Sequence, residues 1–381
     1  MGKQQNKNSI RGTFNKSNYT KDEIRALQVW LALSLGAALA LYSPSSDAMI
    51  NVINGSLHAI RTDEVALEDG NLRLQRSFDS RSLYIGYFGL GWCSDLEYKL
   101  TIEKESIQLQ KCDEMVSSFT AERSLQNLPQ PVQGLNQKNS QGRELLWRSN
   151  HQPGVFLVNE KKGLAIYANN QRQFLFDQDG RLTAILHGGK SIELYYKKEK
   201  LVRLQTEQQS LIVDSAKAFH RILRLQRLPD SGKGRTIFHY DDSGQLRKVE
   251  SDGNFERYSY DDLGNLTSVV TPQGQVLQAE YDQTEDLLRK YVDETTCRFD
   301  ISYPKTPALV SGSSKRFIEK TCPNEKKKSF EIDIQSAQLP REKIYIQEIR
   351  LGTEKGRYSL QVDAQSGLLK RLSRLVSQEA Q

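Results

Sequence analysis

The sequence predicts an all-β protein in which antiparallel hairpins repeat along one sheet, preceded by a signal or anchor helix. Three features of the chain carry this prediction. Apolar and polar residues alternate over most of its length, which is the period of a strand with one buried face. A short motif with an aromatic residue, an aspartate and a glycine returns about every 20 residues. Only one segment, near the N-terminus, is almost continuously apolar.

The composition is that of a folded chain with a nearly balanced charge. Hydrophobic residues make up 37% of the 381 residues, and 13 Phe, 16 Tyr and 3 Trp supply aromatic mass for a core. Disorder throughout is excluded, because it goes with few aromatic residues and a high net charge. The net charge is +6, of which +4 belongs to residues 1–25. The rest of the chain lacks the basic footprint of a nucleic-acid-binding protein, so we expect no nucleic-acid partner.

The N-terminus has the pattern of a targeting segment. Residues 1–25 are polar and basic, and residues 27–42 are apolar except for Gln28 and Ser34. Small residues follow, and Ser46 and Ala48 suit the positions before a signal-peptidase cut. We interpret residues 1–48 as a basic tail plus a signal peptide cleaved after Ala48 or an uncleaved anchor, with a buried core helix as the alternative. The protein is then exported to the periplasm, the cell surface or the medium, and touches a membrane only through this segment.

The four cysteines agree with export. None belongs to a C-x-x-C pair, so their spacing does not indicate a zinc site. An even number of cysteines permits two disulfides in an oxidising compartment. Sequence proximity favours Cys93 with Cys112 and Cys297 with Cys322, whereas other pairings and four free thiols stay open.

The remainder of the chain divides into three parts. Residues 49–125 form an opening β segment, in which the alternation over 96–102 is answered by 106–110 and predicts a hairpin. Residues 126–143 are polar, contain two prolines and have no period, which is typical of a linker. Residues 144–381 form the repeat array. Within it, residues 215–228 fit either a helix or alternating strands.

The repeat is clearest in two tandem copies. Tyr-Asp-Asp-Ser-Gly-Gln-Leu begins at Tyr240 and Tyr-Asp-Asp-Leu-Gly-Asn-Leu at Tyr260, with weaker copies at Tyr281, Phe176 and Val362. The aromatic residue ends one strand, Asp bonds nearby backbone N–H groups, Gly adopts a positive φ, and Leu begins the return strand. The residues that we expect to build the repeats are Tyr240, Asp241, Gly244, Leu246, Tyr260, Asp261, Gly264, Leu266, Tyr281 and Asp282.

This motif and its spacing resemble the YD repeat of Rhs (rearrangement hotspot) proteins. A second stretch, with Arg76, Phe78 and then Gly89-Leu90-Gly91-Trp92, is similar to the segment that opens the Rhs core. The resemblance implies a long β-sheet that spirals into a shell, often around a C-terminal toxin domain. It also implies a partner: another protein, such as a toxin, an immunity factor or an envelope component, or a glycan.

Two departures from the family pattern modify that expectation. The sequence contains no Asp-Pro dipeptide, whereas complete Rhs cores end in Asp-Pro motifs. It also ends at Gln381, soon after the last weak repeat, which leaves no room for a toxin domain. We therefore expect a short form with a partial shell, an open curved sheet with two free edges.

The search for chemistry finds no catalytic, cofactor or metal site. The five histidines are not at metal-ligand spacing, and turn formation explains Asp241 and Asp261 without catalysis. Trp92 fits a core residue better than a ligand platform. The function that we predict is a non-enzymatic exported scaffold or binding protein. The alternative is an envelope carbohydrate-binding module that stacks sugars on Tyr240, Tyr258, Tyr260 and Tyr281.

Overall fold

The fold is that of a computed structural model, and it is built almost entirely from strands. The described residues are 40–42, 48–51, 56–63, 74–103, 106–112, 114–121, 146–150, 154–160, 163–168, 171–187, 189–217, 220–229, 234–303, 312–338, 344–353, 356–362 and 369–375. Within these ranges we find no helix with the length and apolar character to cross a membrane. Of the predicted signal or anchor, residues 1–39 and 43–47 lie outside the description, and Ala40–Tyr42 is a strand rather than helix. The predicted linker, 126–143, also lies outside it.

The opening segment forms a small antiparallel sheet. Its order is β1-β2-β3-β4-β7, and a two-stranded hairpin, β5-β6, projects between the last two strands in sequence. A single 3₁₀ turn, Asp95–Glu97, follows β7. The strands are β1 (Ala40–Tyr42), β2 (Ala48–Asn51), β3 (Ser56–Asp63), β4 (Leu74–Asp79), β5 (Ile85–Gly86), β6 (Gly89–Leu90) and β7 (Trp92–Ser94).

The second sheet holds all the other strands, and each of them pairs antiparallel with the next one along the chain. The strands are β8 (Tyr98–Ile102), β9 (Ser106–Lys111), β10 (Glu114–Ala121), β11 (Leu146–Ser149), β12 (Val155–Glu160), β13 (Gly163–Ala168), β14 (Gln171–Phe176), β15 (Leu182–His187), β16 (Lys190–Lys197), β17 (Lys200–Gln205), β18 (Ser210–Ser215), β19 (Ile222–Leu228), β20 (Arg235–Tyr240), β21 (Leu246–Ser251), β22 (Asn254–Tyr260), β23 (Leu266–Val270), β24 (Val276–Tyr281), β25 (Leu288–Val292), β26 (Arg298–Ser302), β27 (Gly312–Thr321), β28 (Lys328–Gln338), β29 (Ile344–Thr353), β30 (Gly356–Val362) and β31 (Leu369–Leu375).

This architecture confirms the predicted all-β, antiparallel hairpin-repeat sheet. The predicted first hairpin is β8 with β9. The ambiguous segment 215–228 contains the end of β18 and all of β19, so it is strand and not helix. Strands β8 to β10, which precede the predicted linker, belong to the same sheet as the repeats, because β10 pairs with β11.

The two sheets share one core. Buried residues of the opening sheet, such as Leu57 and Phe78, form a single cluster with Phe238, Leu266 and Ile318 of the long sheet. One face of the long sheet therefore packs against the opening segment, and we call it the inner face. We call the opposite face of the long sheet the outer face.

Most return strands of the repeats contain a β-bulge. Leu246 pairs with Tyr240 while Lys248 pairs with His239, so Arg247 is an extra residue on its strand. Buried residues on this strand are consequently three apart, at Leu246 and Val249, instead of two. The same spacing recurs in β17, β19, β23 and β25. Bulges place an extra residue outside the ladder and increase the local twist.

Candidate functional site

The turn of the first clean repeat is built by one aspartate and one glycine. The Gln245 N–H donates to Asp241 Oδ1 over 2.9 Å, and the Gly244 N–H donates to the Asp241 carbonyl over 2.9 Å. Gly244 has a φ of 85°, in the left-handed region that favours glycine. Burial works against ionisation of Asp241, yet hydrogen bonds from Ser243, Gln245 and Arg247 outweigh it and lower its pKa.

The other copies use the same geometry with substitutions. In the second copy, Asp261 Oδ1 accepts from the backbone N–H groups of Leu263 and Asn265, and Gly264 has a φ of 89°. In the third copy, Asp282 Oδ1 accepts from two N–H groups, and Asp286 takes the positive φ, at 55°. Aspartate tolerates this conformation better than most residues, which explains how the motif decays without losing the turn.

Each repeat tyrosine donates its hydroxyl to the backbone of the preceding repeat. Tyr240 donates to the Ile222 carbonyl and Tyr260 to the Leu246 carbonyl, both over 2.8 Å. Tyr281 donates to the Leu266 carbonyl over 3.3 Å, and Tyr303 to the Leu288 carbonyl over 3.1 Å. Burial raises the pKa of Tyr260 and of Tyr281. We call these four residues the tyrosine ladder. Phenylalanine could not form it.

Tyr303 is a member of this ladder that sequence reasoning missed. It lies 22 residues after Tyr281, close to the repeat period, but no Asp follows it and the motif is therefore not recognisable. The period alone could have identified it.

In the first and third copies, an arginine joins the aspartate to the next aromatic ring. Arg247 Nε donates to Asp241 Oδ2 over 2.6 Å, and its guanidinium lies 5.1 Å from the centre of the Tyr260 ring. Arg289 repeats this with Asp282 and Tyr303. Both arginines are the extra residues of their bulges. The bulge therefore frees a cation to stack on the next repeat, at the short range where cation–π attraction operates.

The opening segment runs along these turns, from later repeats to earlier ones. The guanidinium of Arg81 contacts both the carboxylate and the carbonyl of Asp286 in the third copy. The carbonyl of Tyr87 accepts from the Ile222 N–H over 2.7 Å, just before the first clean copy. Further along, the Leu100 N–H donates to the Gly180 carbonyl over 2.8 Å. One stretch of about 20 residues thus contacts the turns of several successive repeats.

The predicted Gly-x-Gly-Trp residues lie at the centre of this contact. A Cβ on Gly89 would stand 2.6 Å from the Gly244 carbonyl oxygen, so only glycine allows the approach. At Gly91 a Cβ would stand 2.6 Å from the Phe78 ring. Trp92 is completely buried, and its Nε1 donates to the Tyr260 hydroxyl over 2.9 Å. The structure therefore brings the opening motif and the repeat motif together.

Arg76 occupies an aromatic cage between the two sheets. Its guanidinium carbon lies between 4.9 and 5.8 Å from the ring centres of Phe88, Trp92, Phe238 and Tyr258. Its Nη2 donates to the Tyr258 hydroxyl over 3.1 Å, and the side chain is 1% exposed. Two of the four rings come from the opening segment and two from the repeats, so this cation holds both parts.

Glu97 is a second buried charge in the opening segment. One carboxylate oxygen accepts from the Tyr84 hydroxyl over 3.0 Å and the Tyr87 N–H over 2.7 Å. The other accepts from the N–H and the hydroxyl of Ser94, each over 2.9 Å. Burial nevertheless dominates and raises the pKa of Glu97 to about 7. Burial also raises the pKa of Tyr87 to about 12.

The cysteines are joined as neighbours in sequence. Cys93 is bonded to Cys112, which links β7 to the end of the first hairpin. Cys297 is bonded to Cys322, which links the turn before β26 to the loop between β27 and β28.

Family models match the two regions that this contact joins. The model named RHS Repeat matches residues 240–276, which contain both clean copies. A model of a domain of unknown function, DUF6531, matches residues 47–119, which contain most of the opening segment. The chain therefore contains Rhs repeats. No curated protein matches its sequence.

Solved structures of TcdB2-TccC3 and of a Tc holotoxin pore are similar to this chain at low identity. The crystal structure of TcdB2-TccC3 without its hypervariable C-terminal region is 10% identical, with a TM-score of 0.24. The match covers 84% of this chain and 23% of that one. The structure of the Photorhabdus luminescens Tc holotoxin pore is 9% identical, with 84% and 22% covered and a TM-score of 0.24. This Rhs repeat protein thus spans less than a quarter of the chains that it matches.

The geometry also bears on ligand binding by the Rhs repeats. The tyrosines proposed for sugar stacking are packed against the core, and Tyr258 is 3% exposed. Their rings therefore offer little free surface to a glycan. In the part of the chain that the structure describes, no three His, Cys, Asp or Glu side chains are grouped as metal ligands.

Proposed function

We propose that this Rhs repeat protein is a non-enzymatic, exported scaffold whose curved sheet, a partial shell, engages another protein. The observation that carries the proposal is that the side chains defining the repeats are used internally. The tyrosine ladder donates to backbone carbonyls, and the motif aspartates accept from turn N–H groups. Side chains committed in this way stabilise a frame and are not available for chemistry.

The opening segment supports the same proposal because it fixes the repeats relative to one another. Neighbouring hairpins in a repeat sheet contact only each other, which leaves the sheet free to flex. Here Arg81, Trp92 and Tyr87 contact three different repeats through one short segment. A sheet held at several turns offers a partner a surface of defined shape.

Export is part of the proposal and rests on two features. The first is the basic and apolar pattern of residues 1–48. The second is the pair of disulfides, which persist in oxidising compartments and are rare in the cytosol. We also retain the division into 1–48, 49–125, 126–143 and 144–381 as part of the proposal. N-terminal sequencing of the protein from the envelope fraction tests whether cleavage follows Ala48.

The partner is tested with the full chain, tagged and recovered from the envelope fraction of its native host. We expect a protein that stays bound at fixed stoichiometry through gel filtration and cross-links to the long sheet. A variant with Tyr240→Phe and Tyr260→Phe is the matched control: it should be less stable than wild type, but these hydroxyls lie inside the protein, so below its melting temperature the partner should be retained. A folded, exported chain without a stoichiometric protein partner contradicts the proposal, and retention on purified envelope glycans would then favour the carbohydrate alternative.

A further inference from the structure

Many lysine and arginine side chains on the outer face of the long sheet form ion pairs with neighbouring carboxylates. Lys248 Nζ lies 2.7 Å from Glu250 Oε2, and Lys315 Nζ lies 2.7 Å from Glu331 Oε1. Such exposed pairs contribute little to stability, but they leave the face electrically neutral at these places.

A shallow cleft over β16, β17 and β18 departs from this pattern. Its volume is about 550 Å³, and its lining includes Tyr195, Lys197, Lys200 and Arg203. Among the described residues, no carboxylate forms an ion pair with any of these three cations. The one acid of the lining, Asp214, is already paired with Arg224.

The cations of the cleft are placed against one another. Lys197 and Lys200 are directly opposed across the hairpin. Like charges in such positions are destabilising, so this pair weakens the hairpin that carries it. Lys200 Nζ donates to the Ser215 carbonyl over 2.8 Å, and the guanidinium of Arg203 lies 4.2 Å from the centre of the Tyr195 ring. Neither group forms an ion pair within the described residues, although the Tyr195 hydroxyl donates to the nearby carboxylate of Glu193.

We propose that this cleft binds a ligand with closely spaced negative charges of the phosphate type. Three cations with one arginine suit such a group, because the planar guanidinium can contact two phosphate oxygens while the lysines act as point charges. Bound anions would also remove the repulsion between Lys197 and Lys200. Val202 and Ile212 line the same cleft and can contact an apolar part of the ligand. This site is independent of the protein partner proposed above.

Isothermal titration of the full chain with tripolyphosphate at low ionic strength tests the site. We expect one binding event per chain. A variant with Lys197→Gln and Arg203→Gln should bind at least about tenfold more weakly, since two charge-assisted hydrogen bonds to the anion are lost. The control variant, Lys248→Gln with Lys315→Gln, loses the same charge elsewhere on the outer face and should bind within about twofold of wild type. Melting curves establish that both variants are folded.

Two results overturn the proposal: no binding by the wild-type chain, and equal weakening in both variants, which would mean that net charge alone attracts the anion. A second arm identifies the source of the phosphate group. The wild-type chain and the Lys197 and Arg203 variant are mixed with vesicles that contain phosphatidylglycerol. A lipid headgroup is indicated if the vesicles bind the wild type, release it on addition of tripolyphosphate and do not bind the variant. Binding of tripolyphosphate without binding of vesicles indicates a soluble anion.

Discussion

Trp92 and Tyr260 form a relay between the opening segment and the repeats. The indole Nε1 donates to the Tyr260 hydroxyl over 2.9 Å, and that hydroxyl donates to the Leu246 carbonyl over 2.8 Å. The phenol is thus both acceptor and donor, and one oxygen atom joins the opening segment to two repeats. Because Trp92 is completely buried, its N–H cannot find water if the phenol is removed.

A double-mutant cycle on this relay should therefore show coupling. Tyr260→Phe leaves the indole N–H and the Leu246 carbonyl unsatisfied, and we expect it to lower the free energy of unfolding by about 1–3 kcal/mol. With Trp92→Phe as the second variant, the coupling energy should be about 0.5–3 kcal/mol. Denaturant unfolding of the four proteins measures it. Tyr195→Phe, on the outer face, is the control and should change stability by less than about 0.5 kcal/mol; additive effects at positions 92 and 260 would disprove the relay.

The turn of the second clean repeat gives another prediction. Gly264→Val places a β-branched side chain at a φ of 89° and should cost about 1–3 kcal/mol. Ser243→Val, at the equivalent of Leu263 in the first turn, should cost far less, since Ser243 is exposed, does not need a positive φ and loses only one hydrogen bond, to Asp241 Oδ1. Melting temperatures of the two variants test the assignment, and equal melting temperatures for Gly264→Val and wild type would show that the turn is misassigned.

The aromatic cage predicts that Arg76 cannot be exchanged for lysine. Lysine keeps the charge but loses the planar guanidinium that lies among four rings and bonds to Tyr258. We expect Arg76→Lys to lower the free energy of unfolding by about 3 kcal/mol, in the range for disrupting a buried charge. Arg76 also lies 3.7 Å from Glu256. Arg172→Lys is the control, because Arg172 likewise pairs with an acid, Glu160, and bonds a tyrosine, but its side chain is 41% exposed. Similar losses for the two variants in denaturant unfolding would contradict a special role for the cage.

The repeat frame could be predicted from sequence, but the way in which its parts meet could not. A tyrosine, an aspartate and a glycine at fixed spacing report local turn chemistry, which a single segment determines. The contact of Arg81 with Asp286 joins residues 205 positions apart, and no local pattern encodes it. The bulges also make the return strands hard to recognise from the sequence. In β21, for example, the buried residues are three apart, which fits neither the alternation of a regular strand nor the pattern of a helix.

Glu97 is a single residue whose position the local sequence pattern predicts wrongly. Strict alternation of Leu96, Glu97 and Tyr98 predicts that the glutamate faces solvent. Instead Ser94 and Glu97 form a capping box, in which each side chain bonds the other's backbone, and residues 95–97 make a 3₁₀ turn that carries the carboxylate inward. Its role follows from tertiary contacts with Tyr84 and Tyr87, which the alternation does not contain.

The buried position of Glu97 predicts a dependence of stability on pH. Its pKa is about 7 in the folded protein against 4.5 for an exposed glutamate, so between these values the folded state holds a proton that the unfolded state has lost. The free energy of unfolding should therefore fall as pH rises from about 4.5 to about 7, by up to about 3 kcal/mol, and this carboxyl should add no slope above that range. Of the titratable groups nearest to it, Tyr87 and Lys111 both have a raised pKa and keep their protons throughout this window.

Denaturant unfolding at about pH 5 and about pH 7.5 measures the effect. Comparison with a variant that lacks only this carboxyl removes the contribution of all other ionisable groups. We expect Glu97→Gln to remove most of the difference between the two pH values, since an amide does not titrate. Glu103→Gln, at an exposed position near the first hairpin turn, should leave the difference as in wild type. If wild type and Glu97→Gln lose the same stability between the two pH values, the four donors around the carboxylate outweigh its burial, and Glu97 is ionised throughout.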